Sequence, residues 1–283
     1  MRIRYRATRN PILSIDTKKK ELLGDLFRAG RTYTTRTVET ADHDFPSQAT
    51  GTVFPHGIYD TERNCGHINL GVSHDTSRFA ADSLESWWRA YGKPAYPNAT
   101  SILLLCDGGG SNAASRYVFK SALETLVSRI GVEIRVAHYP PYCSKYNPIE
   151  HRMFPHVTKA CQGIVFYSTE MVVRAMARTR TRTGLRTTVA VIEGEYPTGE
   201  KPRRSTRRRW ESSSTTTCPS GTTVPSHPNR EVNKLQFLND PTTPGRPPSD
   251  TRRGCLARTM WPRSSCGWGS ATPAGTCSGW CWR

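Results

Sequence analysis

The stretch HYPPYCSKYNPIEHRMF, residues 138–154, marks the change from a β-strand pattern to a helix pattern. Pro148 suits the first turn of a helix, because the N–H that proline lacks would have no partner there. Asn147 just before it is a favourable N-cap residue. The pattern therefore predicts a helix with Glu150 in its first turn, close to the end of the preceding strand. A carboxylate at that position is either solvated and favoured by the helix dipole, or recruited to a site.

Two further acids stand at the ends of predicted strands. SILLLCD, residues 101–107, is a continuous apolar run typical of a central strand, and it stops at Asp107 before GGGSN. ILSID, residues 12–16, predicts a shorter buried strand that ends at Asp16, an acid that could equally be an ordinary turn residue. If these two strands are neighbours, their acids lie close together, and the helix that carries Glu150 can cross the same edge.

The order of elements predicts the fold class. Residues 52–60 and 66–73 read as strands that pair as antiparallel neighbours of the first strand. The other predicted elements are a helix opened by Thr76 with a Trp87/Trp88 core face, helices at 112–130, 148–161 and 168–182, and strands at 132–140 and 187–193. The order β-β-β-α-β-α-β-α-α describes a mixed sheet with helices on both faces. The chain is therefore predicted to be an α/β protein.

The charge of the chain is concentrated in its last part. The 283 residues carry a net charge of +17, which favours an anionic partner and nucleic acid first. Residues 1–200 hold 26 Lys/Arg against 19 Asp/Glu, or +7, and residues 201–283 hold 14 against 4, or +10. The basic character of the body is thus modest, and its chemistry has to be judged from its own residues.

Membrane and secretory segments are not predicted. The sequence contains no apolar run long enough to span a bilayer, and its first 30 residues lack the apolar region of a secretory signal. The four cysteines of the body form no CxxC pair, which favours free thiols in a reducing cytoplasm: Cys65, Cys106, Cys143 and Cys161. Cys106, beside Asp107, is expected to be a small core residue and not a nucleophile.

Three carboxylates that converge from different elements suggest a cation site. They repel one another unless cations lie between them, and oxygen-only ligands suit Mg²⁺ or Mn²⁺ better than zinc. Two such ions can stabilise the attacking and the leaving oxygen of a phosphodiester. We therefore predict that Asp16, Asp107 and Glu150 hold two Mg²⁺ or Mn²⁺ ions and are the catalytic residues.

Five segments in order carry a resemblance to a known family. They are ILSIDTKKKELLG (12–24), FPHGIYD (54–60), GVSHDTSRFAADSLESWW (71–88), CDGGGSN (106–112) and KYNPIEHRMF (145–154). The order and placing of Asp16, Asp107 and Glu150 resemble those of the acids in DDE transposases. The segment PPYCSKYNPIEH, which contains Glu150, is similar to the motif around the third acid in Tc/mariner-like transposases. Together the segments resemble bacterial insertion-sequence DDE transposases of the Rhodopirellula, or ISAzo, type, over about residues 10–199.

The resemblance implies an RNase H-like fold, here a mixed five-stranded sheet flanked by helices, in a catalytic domain of residues 1–200. It also implies that the DDE triad cleaves transposon ends and transfers the 3′-hydroxyl into target DNA, so the expected partner is double-stranded DNA. A homodimer and a location at the bacterial nucleoid are further expectations. Basic residues near the triad are predicted to contact DNA phosphates, although Lys18–Lys20 could simply be a solvated surface: Lys18, Lys19, Lys20, Lys145, His151 and Arg152.

Both ends of the chain depart from the expected family pattern. About ten residues precede the first strand, which leaves no room for an N-terminal helix-turn-helix and suggests a truncated copy. Residues 201–283 contain no Ile or Tyr but ten of the 20 Pro, and they are predicted to be a disordered basic tail. This tail is interpreted as an out-of-frame translation, or alternatively as a basic DNA-binding tail. Two other functions remain open: an inactive remnant that only binds DNA, and an RNase H-like nuclease without strand transfer.

Overall fold

The computed structural model describes residues 1–41, 46–107, 117–139 and 144–201, together with the backbone of residues 235–239. Three predicted features fall wholly or largely outside these ranges: the segment DHDF (42–45), the glycine-rich GGGSN (108–112) and most of the tail after residue 201. Residues 140–143 of the stretch 138–154 also lie outside them. Contacts divide the chain into Met1–Thr243 and Pro244–Arg283, and the second unit lies entirely outside the described residues.

A single mixed sheet forms the centre of the molecule. Its strands are β1 (Ile12–Thr17), β2 (Glu21–Leu23), β3 (Gly51–Asp60), β4 (Cys65–Gly71), β5 (Ser101–Cys106), β6 (Glu133–His138), β7 (Arg186–Ile192) and β8 (Leu235–Asn239). The strand order is β7-β4-β3-β1-β5-β6-β8, and β2 pairs with β3. β1 is parallel to β5 and antiparallel to β3, so it lies near the middle of the sheet.

The helices cover both faces of this sheet. They are α1 (Arg2–Ala7), α2 (Ser77–Trp87), α3 (Lys93–Ala95), α4 (Tyr117–Ile130), α5 (Pro148–Arg152), α6 (Phe154–Ala160) and α7 (Thr169–Ala177). Short 3₁₀ turns occupy Pro46–Gln48 and Ser144–Tyr146, and a π-helical turn, Trp88–Gly92, follows α2. Thr76 caps α2 as predicted, because its side chain accepts a hydrogen bond from the N–H of Phe79 at 3.2 Å.

The apolar core is divided by the sheet. On one face, α2 and α4 pack Trp87, Trp88 and Phe119 against β1, β5 and β6. On the other face, α5, α6 and α7 pack against β3 and β4 with buried residues such as Ile149 and Phe154. The burial of Trp87 and Trp88 confirms that they are core residues. The face that carries Glu150 is therefore anchored by its own apolar cluster.

The predicted fold class is confirmed, and the structure adds elements to it. β3 is the antiparallel neighbour of β1 and β5 its parallel neighbour, as expected. The prediction that residues 66–73 also pair with the first strand is wrong, because β4 pairs with β3 and β7 and is one strand removed from β1. β2, β7 and β8 extend the sheet beyond five strands, and α1 was not predicted. Within the tail expected to be disordered, the only residues that the structure describes after 201 form β8, which is parallel to β6.

The predicted helix of residues 148–161 is broken at Met153. Its φ of −125° lies outside helical geometry and separates α5 from α6. Pro155, which has no N–H, occupies the first turn of α6, where a missing donor costs nothing. The short α5 is therefore oriented independently of α6. Of the three predicted acids, only Glu150 lies on α5.

The cysteines and the lengths of the helices are two further features of the fold. Among the described residues, Cys65, Cys106 and Cys161 are free, as predicted. Cys106 is wholly buried, and burial raises the pKa of its thiol, which agrees with a core role. None of the helices in the described ranges is long and apolar enough to cross a membrane.

Candidate active site

Two of the predicted acids are placed by the pairing of the central strands. β1 and β5 are parallel, with Ser14 opposite Leu105. Continuing this register by two positions sets Asp16, near the end of β1, opposite Asp107, which follows β5. Parallel strands deliver their carboxyl ends to one edge of a sheet, so both side chains belong to this edge. Both are partly exposed there.

Glu150 reaches the same edge through a buried clamp between α5 and β1. The hydroxyl of Ser14 donates to Oδ1 of Asn147, and the amide of Asn147 donates to the carbonyl of Ile15 at 3.2 Å. The same hydroxyl accepts the N–H of Ile149 at 2.9 Å. All of these polar groups are buried, so α5 is fixed against the strand that carries Asp16.

Asn147 is the N-cap of α5, but its side chain does not make the expected capping hydrogen bond. That prediction was right about the position and wrong about the contact. The Ser14 hydroxyl accepts the N–H of Ile149 at the start of the helix. The amide of Asn147 is therefore available to donate to β1. A cap supplied by a residue 135 positions away leaves no local pattern in the sequence.

The electrostatics of the edge show that the three acids are close enough to affect one another. The pKa of Asp16 is raised from 3.8 to about 8, mainly by burial and then by a hydrogen bond with the Glu150 side chain and the charge of Asp107. The N–H of Thr17 donates to Oδ1 of Asp16 at 2.7 Å and partly offsets this shift. The raised pKa of Asp16 therefore reflects its burial together with the two neighbouring acids.

A fourth acid, Asp75, lies near this edge, and it was not singled out from the sequence. The hydroxyl of Thr17 donates to Oδ1 of Asp75 at 3.2 Å. Asp75 is therefore hydrogen-bonded to the residue that follows Asp16. Its place on the connection between β4 and α2 gave no sign of this, because the contact depends on the antiparallel pairing that brings the end of β4 to β1.

The carboxylates suit a hard cation by their chemistry. They supply only oxygen donors, which Mg²⁺ and Mn²⁺ prefer. A cation beside Asp16 would relieve the repulsion that Glu150 and Asp107 exert on it. Within the described ranges, no three His, Cys, Asp or Glu side chains already form a group that could hold a metal ion. Asp16, Asp107 and Glu150 therefore suit the cation by the chemistry of their oxygen donors and not by an already formed group.

The basic residues predicted to contact DNA differ in their surroundings. Lys18 donates to Glu21 at 2.6 Å, and Arg28 binds the other oxygen of the same buried carboxylate. Lys18 is therefore already engaged in an ion-pair network that holds β2 near the end of β1. The other five are exposed and available to an anion: Lys19, Lys20, Lys145, His151 and Arg152.

His56 and His67 are buried residues of the central strands. His56 is on β3 and shares a hydrogen bond of 2.8 Å with Ser83, and His67 is on β4 and shares one of 2.6 Å with Thr188. Burial lowers the pKa of each to about 4. Both imidazoles are therefore neutral near pH 7, and they belong to the packing of the sheet.

Comparison with known proteins gives one family. The family model described as the Rhodopirellula transposase DDE domain matches residues 2–216. The matched range includes all three predicted acids and extends beyond both limits of the motif resemblance, residues 10 and 199. No curated protein and no solved structure matches the chain.

Proposed function

Because the chain belongs to the family of Rhodopirellula transposase DDE domains, a group of insertion-sequence transposases, we propose that it cleaves and joins DNA. The reaction is metal-dependent phosphodiester cleavage at transposon ends, followed by transfer of the 3′-hydroxyl into target DNA. The observation that supports this proposal is that Asp107 and Glu150, from two other elements, lie close enough to Asp16 to raise its pKa. Carboxylates with only oxygen donors suit Mg²⁺ or Mn²⁺.

Asp16, Asp107 and Glu150 would hold the divalent cations at this edge. When bound, two Mg²⁺ or Mn²⁺ ions supply activation of the attacking oxygen and charge stabilisation of the leaving oxygen. The chain contributes the positions of the carboxylates. β1 and β5 set two of them by register, and the Ser14–Asn147 clamp sets the third. The rigidity of these supports matters, because a small misplacement of reacting groups has a large effect on rate.

The raised pKa of Asp16 links cation binding to pH. Asp16 must be ionised to bind a cation, so cation binding releases the proton that its carboxyl group carries below about pH 8. Loading is therefore favoured as the pH rises toward the raised pKa of Asp16, about 8. The exposed residues Lys19, Lys20 and Lys145, with His151 and Arg152, flank the acids and would hold the phosphates of the bound duplex.

A nicking assay with the full chain tests this proposal. The substrate is a supercoiled plasmid that carries the ends of the chain's own element, with Mn²⁺ or Mg²⁺. Glu150→Gln should abolish nicking, and Glu170→Gln is the matched control, because Glu170 also lies in the first turn of a helix but is exposed on α7. Equal nicking by Glu150→Gln and the wild type would remove Glu150 from the mechanism.

Strand transfer needs a separate readout. A pre-cleaved, labelled transposon end is incubated with an unlabelled plasmid, and covalent joining of the label to the plasmid is measured. Joining supports transposase activity. Nicking without joining would instead support a nuclease, and loss of both activities, with DNA binding retained, would support an inactive remnant.

A further inference from the structure

The edge of the sheet opposite the carboxylates carries a cluster of arginines. At this edge β1, β4 and β7 begin and β3 ends. The cluster, here called the basic edge, consists of six exposed residues: Arg6, Arg9, Arg63, Arg180, Arg182 and Arg186. β1 has six residues, so the two edges are separated by about 20 Å at roughly 3.3 Å per residue. The basic edge is therefore distinct from the candidate active site.

Acids do little to neutralise this cluster. Glu62 binds Arg6 through both of its oxygens, at 2.9 and 3.0 Å. Asp60 is buried, and its carboxylate accepts the N–H groups of Glu62 and Arg63 and the hydroxyl of Tyr96. Within the described part of the chain, the other arginines of the cluster form no ion pair. By contrast, Arg89 and Arg129 on the α2–α4 side are both paired with acids.

Four of these arginines are held by two turns that are bound to each other. Asn64, in the β3–β4 turn, accepts the hydroxyl of Tyr59 at 2.9 Å and donates to the carbonyl of Thr183 at 3.0 Å. Thr183 lies in the turn before β7, where Arg180 pairs with Arg186 across a β-bridge. Arg63, Arg180, Arg182 and Arg186 are therefore presented by a fixed backbone, which lowers the entropy lost when they bind a ligand.

The cluster continues into a concave surface. A cavity of about 600 Å³ lies beside Arg63, and Arg6, Arg9 and Tyr96 also line it. The guanidinium of Arg63 lies 5.9 Å from the centre of the Tyr96 ring. Glu62, which pairs with Arg6, also lines this cavity, so Arg9 and Arg63 are the two lining arginines without an ion pair in the described part of the chain. Guanidinium groups in a concave surface attract anions, and each can bind two phosphate oxygens. The ligand chemistry that fits is a chain of phosphates.

We propose that the basic edge binds a second segment of double-stranded DNA through its phosphates, while the first segment lies at the carboxylates. This inference rests on the proposed function, since it takes DNA as the substrate. Phosphate contacts of this kind do not read base sequence, and they fix the position of a duplex. The second segment would be DNA of any sequence, such as the target or the flank of the element.

The test is a binding titration of the full chain in metal-free buffer, so that it is independent of cleavage. The probe is a labelled 20-base-pair duplex of random sequence. The variant Arg63→Gln/Arg180→Gln/Arg182→Gln removes three charges from the basic edge. The matched control Arg78→Gln/Arg89→Gln/Arg129→Gln removes the same charge from the α2–α4 side.

The wild type and the control should bind two duplexes per chain, and the basic-edge variant should bind one. For the second duplex, a plot of log affinity against log salt concentration should have a slope that corresponds to about three phosphate contacts, at roughly 0.9 per contact. Replacing Arg63, Arg180 and Arg182 with lysine should leave binding at two duplexes per chain, since lysine keeps the charge at all three positions. One duplex per wild-type chain, or two per chain for the glutamine variant, would overturn the proposal.

A separate result would point to another partner. If the glutamine variant lost binding of an acidic polypeptide such as polyglutamate while its DNA stoichiometry stayed at two, the basic edge would be a protein-binding surface, and the DNA proposal would be wrong. Failure of the proposed function would appear elsewhere, as metal-dependent nicking that survives Glu150→Gln.

Discussion

Ser14 is the residue on which the position of Glu150 depends. Its hydroxyl is buried, donates to Asn147 and accepts the N–H of Ile149. Ser14→Ala would leave both partners buried without a hydrogen bond, at a cost of about 1–3 kcal/mol for each group. It would also release α5 from β1. A short helix of five residues has little other support at its start.

We therefore expect Ser14→Ala to lower nicking much more than its loss of stability explains. The matched control is Ser83→Ala, which removes another buried hydroxyl, one bonded to His56 and Asn69. Both variants should show a lower free energy of unfolding in urea. At a temperature where both are folded, only Ser14→Ala should nick slowly. Equal nicking rates for the two variants would mean that the clamp does not position Glu150.

The repulsion around Asp16 gives a prediction for Glu150→Gln without metal. Because the pKa of Asp16 is about 8 in the folded protein and 3.8 by default, the folded state binds the proton more tightly than the unfolded state. Wild-type stability from this group is therefore present at acid pH and falls as pH rises from about 4 to 8. Removing the Glu150 charge weakens this fall, so Glu150→Gln should be more stable than the wild type at pH 8 in EDTA, by on the order of 1–3 kcal/mol.

Thermal unfolding at pH 8 checks this prediction, with Glu170→Gln as the control. Millimolar Mg²⁺ should raise the Tm of the wild type and of Glu170→Gln, because a ligand that binds only the folded state stabilises it. Glu150→Gln should show little response. A wild-type Tm that is unchanged by Mg²⁺ would argue against a cation at these carboxylates.

At the scale of elements, the central position of β5 and the helix after β6 could be predicted from local sequence, whereas the pairing of β1 with β5 was only a condition of the prediction. SILLLC is apolar throughout, and all six residues of β5 are buried, as expected of a central strand. Pro148 marked the start of α5. β2 and α1 could not be predicted in this way, because three residues and six residues are too few to show a period.

Gly57 controls how closely α5 and α6 approach the sheet. It lies on β3 opposite Asp16, and a Cβ at this position would be 2.6 Å from the Phe154 ring and 2.8 Å from Ile149. Gly57→Ala should push both helices outward, destabilise the protein by about 1–3 kcal/mol and reduce nicking.

The control for this substitution lies on the same strand. Gly51→Ala would meet only the end of the Leu23 side chain, at 3.2 Å, which can move. Urea unfolding and the plasmid nicking assay should separate the two variants. Wild-type nicking by Gly57→Ala would show that the site tolerates a shift of α5.

At the scale of the whole molecule, the sequence predicted the convergence of the acids but not what supports it. Convergence followed from topology: a strand ending in Asp16, a parallel neighbour ending before Asp107 and a helix crossing their edge. The Ser14–Asn147 clamp and the engagement of Lys18 by Glu21 are side-chain contacts, and such contacts leave no periodic signal. The tail boundary at residue 200 and the two-ion reaction remain predictions.

The pH dependence of overall stability should report the two buried histidines. Their pKa values are about 4 in the folded protein and 6.5 by default, so the unfolded state binds more protons between these values. Their contribution is complete above pH 6.5 and is lost as pH falls toward 4, by on the order of 3 kcal/mol for each histidine. In His67→Asn, the free energy of unfolding should fall less steeply between pH 6.5 and 4, because the substitution removes one titrating group and keeps an amide near Thr188.

Urea unfolding between pH 4 and 7 measures the effect. His151→Asn is the control, since His151 is exposed and its substitution should leave the curve unchanged. The wild-type curve also contains the opposite contribution of Asp16, so the comparison is made between variant and wild type at each pH. Parallel curves for His67→Asn and the wild type would mean that His67 is not held neutral by the fold.

The central place of β1 has a consequence for how the chain matures during synthesis. β1 is complete by residue 17, but its partners β3 and β5 end at residues 60 and 106, and Glu150 comes later still. Contacts between residues so far apart in sequence form slowly, because long loops must close first. A nascent chain therefore has no assembled acid triad until more than half of it has left the ribosome. An incomplete chain therefore lacks the assembled acids and instead exposes an unpaired, aggregation-prone strand.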